Sequence, residues 1–224
     1  MMTAEVTQAL TIGFLLLFPI PTFAAEEVVA SRDRIIVRVW DRVHMDAGIL
    51  DRAKQVTEQL FHPLQIEVHW MDCLTDPSPQ NERCSSPAGP NDFSVRIYRR
   101  PTEARKRWSR HTAGVAVPSS VNEGSGFIQI FFDRLEEISR DNKRDAPLGL
   151  LLGMTIAHEM GHLLLPTDPH SPAGIMQGCL GGRNLHLAAR GWMHFTEEQR
   201  QTIGKNVRQW SNLSETKRFA ALQH

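Results

Sequence analysis

The segment from Ala146 to Leu165, APLGLLLGMTIAHEMGHLLL, constrains the fold more than any other part of the chain. It is rich in helix formers, Asp145 can cap its start, and Pro147 is tolerated in a first turn. Pro166 then ends the helix. Apolar residues lie on nearly all sides, so we expect this helix to be buried. The two histidines and the glutamate within it need partners, since unpaired buried polar groups are costly.

The pattern that indicates a chemistry within this helix is His158-Glu159-Met160-Gly161-His162. Residues i and i+4 lie on the same helix face, so His158 and His162 can offer two imidazoles to one metal ion. Glu159 is not needed as a ligand and is free to take a proton from water activated by the metal. Two nitrogens, a third ligand and a water are the open arrangement of catalytic zinc. The rival interpretation, an ordinary helix with two surface histidines, fits the buried context less well.

The residues after this helix extend the motif. His170 and Ser171 follow His162, and Gly174, Ile175 and Met176 come shortly afterwards. The whole run resembles the metzincin zinc metalloproteases, and the His-Ser pair followed by Gly-Ile-Met is most similar to their matrixin-like branch. The resemblance implies a third histidine ligand just beyond the helix, with an atypical HExxHx7H spacing here. It also implies a Met-turn, a tight turn under the metal, in which Met176 matches the methionine by position.

The third ligand is the point at which the chain departs from the family pattern, His-Glu-x-x-His-x-x-Gly-x-x-His. Leu165 stands at the glycine position and Asp168 at the position of the third histidine. Asp168 is therefore an alternative third ligand. We favour His170, because imidazole is the commonest zinc ligand and because the Met176 context accompanies it. If His170 binds the metal, Asp168 is expected to orient an imidazole as a hydrogen-bonded carboxylate.

The periodicity of the chain predicts an α+β fold. Alternating, β-rich segments predict strands over 34–40, 65–71, 93–98, 113–117 and 126–132. Helical spacing predicts helices over 46–61 and 146–165, and a capping box at Thr196 opens a last helix that reaches about Trp210. The first β-α-β unit predicts parallel pairing. This order resembles a metzincin-like zincin, which implies a twisted mixed five-stranded sheet, two main helices and a small loop-rich C-terminal lobe ending in a helix.

The first 25 residues have the pattern of a signal peptide. Their apolar core runs from Leu10 to Ile20, and Thr22-Phe23-Ala24 is a plausible cleavage site. The start lacks Lys and Arg, so an uncleaved membrane anchor is the rival interpretation. We expect residues 26–224 to form a single metalloprotease-like domain, with an upper lobe over about 34–165 and a lower lobe over about 166–224. The protein is then secreted, or otherwise periplasmic or extracellular.

Three cysteines are present. Cys73 and Cys84 bracket a polar loop and can form a disulfide in an exported protein. Cys179 is then left over, as a buried free thiol or as an extra ligand or redox group. The sequence leaves the pairing and the role of Cys179 open.

The charge and composition of the chain limit the kinds of partner that can be expected. Lys and Arg number 25, as do Asp and Glu, and the formal net charge of zero gives no sign of a nucleic-acid or membrane-surface partner. We expect a secreted zinc-dependent endopeptidase that uses Zn2+ and Glu159 to hydrolyse a peptide or protein substrate. We also expect a monomer with no nucleic-acid partner and no stable membrane association after signal cleavage. The alternatives are a non-proteolytic zinc-binding protein and a zinc hydrolase of a non-peptide substrate.

Overall fold

The computed structural model describes residues 33–73, 82–99, 109, 111–119, 124–142, 146–165, 170–178 and 183–221. All of these belong to one compact unit, Arg32–His224. The predicted signal peptide (1–25), Asp168 and Cys179 lie outside the described residues.

Five strands of the described chain form one mixed sheet. They are β1 (Asp33–Asp41), β2 (Ile66–Asp72), β3 (Asp92–Tyr98), β4 (Gly114–Pro118) and β5 (Gly126–Phe131). The strand order is β2-β1-β3-β5-β4, in which β4 is antiparallel to β5 and the other pairs are parallel. The predicted α+β class, the mixed five-stranded sheet and the parallel pairing of the first β-α-β unit are confirmed.

One face of this sheet forms much of the hydrophobic core. Alternate side chains of the central strands point to that face and are almost wholly buried: Ile35, Val37, Val39, Phe93, Val95, Ile97, Ile128 and Ile130. Most of them are β-branched, which suits a pleated, closely packed surface. The period of two in the sequence therefore identified the strands correctly, because it follows directly from the alternation of side chains across a strand.

The described residues contain six α-helices. These are α1 (Ala47–Phe61), α2 (Glu82–Ser85), α3 (Phe132–Asp141), α4 (Leu148–Leu164), α5 (Arg183–Ala189) and α6 (Glu197–Ala221). Asp46 caps α1 by accepting a hydrogen bond from Gly48 N at 2.8 Å. At the start of α6, Thr196 Oγ1 accepts from Gln199 N at 3.3 Å, and Gln199 Oε1 accepts from Thr196 N at 3.0 Å. The capping box predicted at Thr196 is formed, whereas α4 has Pro147 at its N-cap with no side-chain hydrogen bond there, and Asp145 lies outside the described residues.

Helix α4 is buried along nearly its whole length and packs closely on α1. The two helices approach at Gly153, where an added Cβ would lie 2.5 Å from Ala53 O. Thr57 Oγ1 of α1 bridges them, because it lies 3.0 Å from Ala53 O and 3.1 Å from Gly153 O. The predicted burial of α4 is thus explained by a tight helix pair, which holds the backbone of α4 in place.

Two helical features differ from the sequence-based expectation. Helix α3 was not predicted, and it begins at Phe132, where a strand was expected to end. It buries Phe132, Leu135 and Ile138 and is otherwise polar, so its apolar face is too short to stand out in the sequence. The last helix extends to Ala221 instead of ending near Trp210. No helix in the described ranges combines the length and apolarity that crossing a bilayer requires.

Candidate metal centre

Three histidines converge at the C-terminal half of α4. His158 and His162 lie one turn apart on this helix, and His170 lies in the segment that follows it. The Nε2 atoms of His158 and His162 are 3.1 Å apart. One ring nitrogen from each histidine lies within 4.8 Å of the others. Among the described residues, this is the group of His, Cys, Asp and Glu side chains that is spaced to hold a metal ion.

The spacing of these nitrogens fits a zinc ion. Zinc binds imidazole nitrogen at about 2.0–2.1 Å in a tetrahedral arrangement, which separates two ligand nitrogens by roughly 3.4 Å. The distance of 3.1 Å between the two α4 histidines is close to that value. His158 and His162 are half-buried and His170 is exposed, so the cluster is accessible from one side. Three imidazoles with an open side match the donor set of a catalytic zinc site.

A backbone carbonyl orients His158. Its Nδ1 lies 2.9 Å from Ile175 O, and because a carbonyl only accepts, Nδ1 must carry the proton. Nε2 is therefore unprotonated and directed toward the other two histidines. Burial lowers the pKa of His158, and the hydrogen bond to Ile175 opposes this only in part. His158 is thus held in the neutral form, with the tautomer that a metal requires.

The segment 170–178 folds into a turn that supplies this carbonyl. Ser171 N donates to Met176 O at 3.0 Å, which closes the turn. Ile175 N donates to His194 O at 2.9 Å, which attaches the turn to the segment before α6. Gly174 has φ +78°, and a Cβ there would overlap His194 O, so the turn requires glycine at this position.

Met176 lies directly against helix α4 at the level of the histidines. Its side chain is fully buried, and a Cβ added to Gly161 would overlap Met176 Sδ. The same Cβ would lie 3.1 Å from Phe195 Cε1. Gly161, between Glu159 and His162 in the motif, therefore lets the methionine and the phenylalanine pack under the histidine cluster. The position of Met176 is that of a packing residue.

Glu159 is buried beneath the edge strand β4. Its side chain is 5% exposed, and an added Cβ at Gly114 would lie 2.7 Å from Glu159 Oε1. The backbone N–H of Ala116 donates a hydrogen bond to the carboxylate. Burial raises the pKa of Glu159 to about 8, and the Ala116 hydrogen bond opposes that rise. A cation held by the neighbouring histidines would lower this pKa and favour the ionised carboxylate, which is the form that accepts a proton.

Of the remaining candidate residues, only the cysteine pair lies within the described ranges. Cys73 and Cys84 form a disulfide with a Cα–Cα distance of 5.8 Å, while Asp168 and Cys179 lie outside the described ranges. The sequence-based interpretation did not identify the backbone groups that serve the site, which belong to Gly114, Ala116, Ile175 and His194. No pattern of side chains could have revealed them, because main-chain donors and acceptors are the same at every residue.

Comparison with known proteins shows a likeness in structure. No protein-family model matches the sequence, and no curated protein matches it. Among solved structures, archaemetzincin from Methanopyrus kandleri matches with a TM-score of 0.44 and 13% sequence identity. The match covers 80% of this chain and 98% of that one.

Proposed function

We propose that this protein is a zinc-dependent peptidase in which His158, His162 and His170 hold the metal and Glu159 is the general base. The observation that supports this most directly is the cluster of three imidazoles, two of which lie on the same helix as the buried carboxylate of Glu159. A purely structural zinc site has no use for that carboxylate, since such sites are closed by four protein ligands. Glu159 therefore favours an enzyme over a non-proteolytic zinc-binding protein.

The proposed reaction is hydrolysis of a peptide bond. A bound zinc ion supplies Lewis acidity, which lowers the pKa of water and polarises the scissile carbonyl. Glu159 accepts a proton as water adds to the carbonyl carbon, and it delivers that proton to the leaving nitrogen as the C–N bond breaks. The Ala116 N–H holds the carboxylate in position throughout. The products are a carboxylic acid and an amine.

The edge strand β4 favours a peptide over another substrate. In the described sheet β4 pairs with β5 on one side only, and it runs antiparallel to it. A peptide in extended conformation can pair with the main chain of such an edge. The Ala116 N–H donates to Glu159, and a Cβ added to Gly114 would lie 2.7 Å from Glu159 Oε1, so a peptide paired along β4 would pass next to the proposed base. The edge strand supports internal cleavage of an extended peptide. The signal-like pattern of residues 1–25 supports an exported peptide or protein as the substrate.

The substitution Glu159→Gln tests the mechanism. It keeps the shape of the side chain and its place under β4 but removes the group that accepts the proton. We expect one zinc per chain to remain bound and peptide hydrolysis to fall by about 100- to 10,000-fold. Metal analysis of the purified protein and cleavage of a mixed peptide library measure the two quantities separately.

A matched control is Glu137→Gln, which changes an exposed carboxylate on α3 that pairs with Arg134. This variant should keep both zinc and activity. Turnover of any peptide by Glu159→Gln at the wild-type rate would refute the role of Glu159. Full zinc binding with no cleavage of any peptide by the wild type would instead favour the non-proteolytic or non-peptide alternatives.

A further inference from the structure

Two side-chain amides of helix α6 hold the chain on either side of segment 165–170, which ends at the third histidine. Gln199 Nε2 donates to Ser171 Oγ at 3.3 Å, directly after His170 in the chain. Asn206 Nδ2 donates to Leu164 O at 2.8 Å, at the last residue of α4. Neither amide is a candidate metal ligand or the proposed base, so both are features that the proposed chemistry has not yet used.

The spacing of the two amides restricts the connection between them. Gln199 and Asn206 lie two turns apart on the same face of α6, at about 10 Å along the helix axis. The chain from Leu164 to Ser171 has the same number of steps, but when fully extended it can reach about 24 Å. The length of the connection therefore does not by itself fix where His170 lies.

The contact at Leu164 closes the end of α4. The last four carbonyls of a helix have no partner within the helix, and Leu164 O is one of them. Leu164 is wholly buried, so the amide of Asn206 takes the place that water would have at an exposed helix end. This bond fixes the point at which the chain leaves α4, two residues after His162.

The turn at the other end of the connection is tied together by hydrogen bonds of its own. Ser171 N donates to Met176 O at 3.0 Å, and the Ser171 hydroxyl donates to Ala173 O at 2.6 Å. Gln177 Nε2 donates to Pro172 O at 2.8 Å. The turn is therefore a rigid unit, and His170 is attached directly to its first residue.

Gln199 joins this rigid turn to α6. Because the Ser171 hydroxyl proton points to Ala173 O, the Ser171 oxygen is the acceptor for Gln199 Nε2. Gln199 is 9% exposed, and its Oε1 accepts from Thr196 N at 3.0 Å. A rotation of the amide would break both bonds, so the start of α6 determines where the turn is held.

Helix α6 is itself fixed to the sheet. Ile203 and Val207 are wholly buried on its apolar face. Asn91, just before β3, donates from Nδ2 to Val207 O at 3.0 Å. A Cβ added to Gly124 would overlap the ring of Trp210, so the helix and the segment before β5 pack closely. The two amides are thus carried by an element that is anchored independently of the metal centre.

We infer that Gln199 and Asn206 are positioning residues of the proposed metal centre, through which α6 holds His170 where three imidazoles can share one ion. The inference rests on the proposed function and concerns the metal site on which that function depends. Each amide acts through the main chain on one side of His170. A ligand that is already in place binds without the entropy cost of ordering its segment. Loss of either amide should therefore weaken metal binding.

Two substitutions test the amides directly. Gln199→Met and Asn206→Ala should each raise the Kd for zinc by about 10- to 100-fold, as measured by competition with a chromogenic chelator. The matched control is Gln209→Ala, which removes an exposed amide from the same helix and should leave the Kd unchanged. Wild-type zinc affinity in either test variant would overturn the role of that residue.

The capping role of Gln199 is separated by changes at its two partners. Thr196→Val removes the hydroxyl of the capping box but keeps the Thr196 N–H and the Gln199 amide. It should lower the thermal midpoint of the metal-free protein and leave the zinc Kd unchanged. Ser171→Ala keeps the cap and should raise the Kd as Gln199→Met does, whereas Ser171→Thr retains the hydroxyl and should bind zinc like the wild type. An equal loss of zinc affinity in Thr196→Val and Gln199→Met would overturn the positioning role.

A double-mutant cycle tests whether Gln199 acts through Ser171. The combination of Gln199→Met and Ser171→Ala should bind zinc no more weakly than the weaker of the two single variants, because both remove the same bond. Effects on Kd that multiply in the double variant would show that Gln199 acts by another route and would overturn the inference for this residue.

All of these measurements report zinc binding, so the inference and the proposed function can fail separately. Loss of zinc affinity in the variants, with no peptide cleaved by the wild type, supports the positioning role and rejects the peptidase. Cleavage by the zinc-loaded wild type, with unchanged Kd in Gln199→Met and Asn206→Ala, rejects the positioning role and leaves the peptidase standing. A wild type that binds no zinc rejects both.

Discussion

Each of the three candidate ligands is oriented by a different contact. His158 donates to the carbonyl of Ile175, and His162 is placed by the helix turn that it shares with His158. His170 packs against the backbone of Gly178, where an added Cβ would lie 3.5 Å from its ring. The first two positions follow from α4 alone, whereas His170 depends on how the chain returns after the helix.

The third ligand is tested by two single substitutions. We expect His170→Ala to lose zinc, because the structure places this imidazole within 4.8 Å of the other two ligand atoms. Asp168→Ala should retain zinc with at most a modest loss of affinity, as expected for a group that orients a ligand. Competition with a chromogenic chelator measures both affinities. The reverse result would make Asp168 the third ligand in place of His170.

At the scale of elements, the site is assembled where helix α4, the turn 170–178 and strand β4 meet. Strand and helix positions were largely predictable, because periods of 2 and 3.6 residues are local properties of the sequence. Helix α3 was missed because only Phe132, Leu135 and Ile138 form its apolar face. The lengthening of α6 was missed because the residues after Trp210 are mostly polar, so helical periodicity fades there while helix propensity continues.

The contact between α4 and the turn is tested by Gly161→Ala. Alanine favours a helix over glycine by up to about 1 kcal/mol, but overlap with Met176 Sδ should outweigh this by roughly 1–3 kcal/mol. We expect a lower midpoint of thermal unfolding and weaker zinc binding, measured by circular dichroism with and without metal.

Gly204→Ala in α6 is the matched control, since the nearest atom to its added Cβ is the movable end of Arg208 at 3.4 Å. This substitution should leave the midpoint of thermal unfolding unchanged or raise it slightly. Equal stability of Gly161→Ala and the wild type would mean that Met176 does not pack under the cluster.

At the scale of the whole molecule, the candidate metal centre brings together two parts of the chain, helix α4 and the turn 170–178. His158 and His162 belong to the buried helix, whereas His170 belongs to a turn that also bonds to His194 through Ile175. A ligand that binds only the native state stabilises it by an amount that grows with the logarithm of one plus the ratio of free ligand concentration to Kd. The proposed zinc should therefore stabilise the entire fold and not only the turn.

Metal removal tests this expectation. Dialysis against a chelator should lower the thermal midpoint of the wild type, and added zinc should restore it. A free zinc concentration of 100 times Kd would stabilise the folded state by about 2.7 kcal/mol. Glu159→Gln should show the same shift, because its ligands are intact. His162→Ala should show almost none. A thermal midpoint of the wild type that does not respond to chelation would argue against a bound metal in the native protein.

The sequence by itself determined the strands, the buried helix and the pairing of His158 with His162 and Glu159, because each of these depends on residues only a few positions apart. The tertiary structure decided which distant groups complete the site. It brought His170 to the helix, placed Ile175 O on His158 and laid β4 over Glu159. His170 was expected at the site from the resemblance of the motif, whereas the contacts of Ile175 and β4 could not be predicted, because they depend on chain folding over long separations and on backbone groups that are the same in every residue.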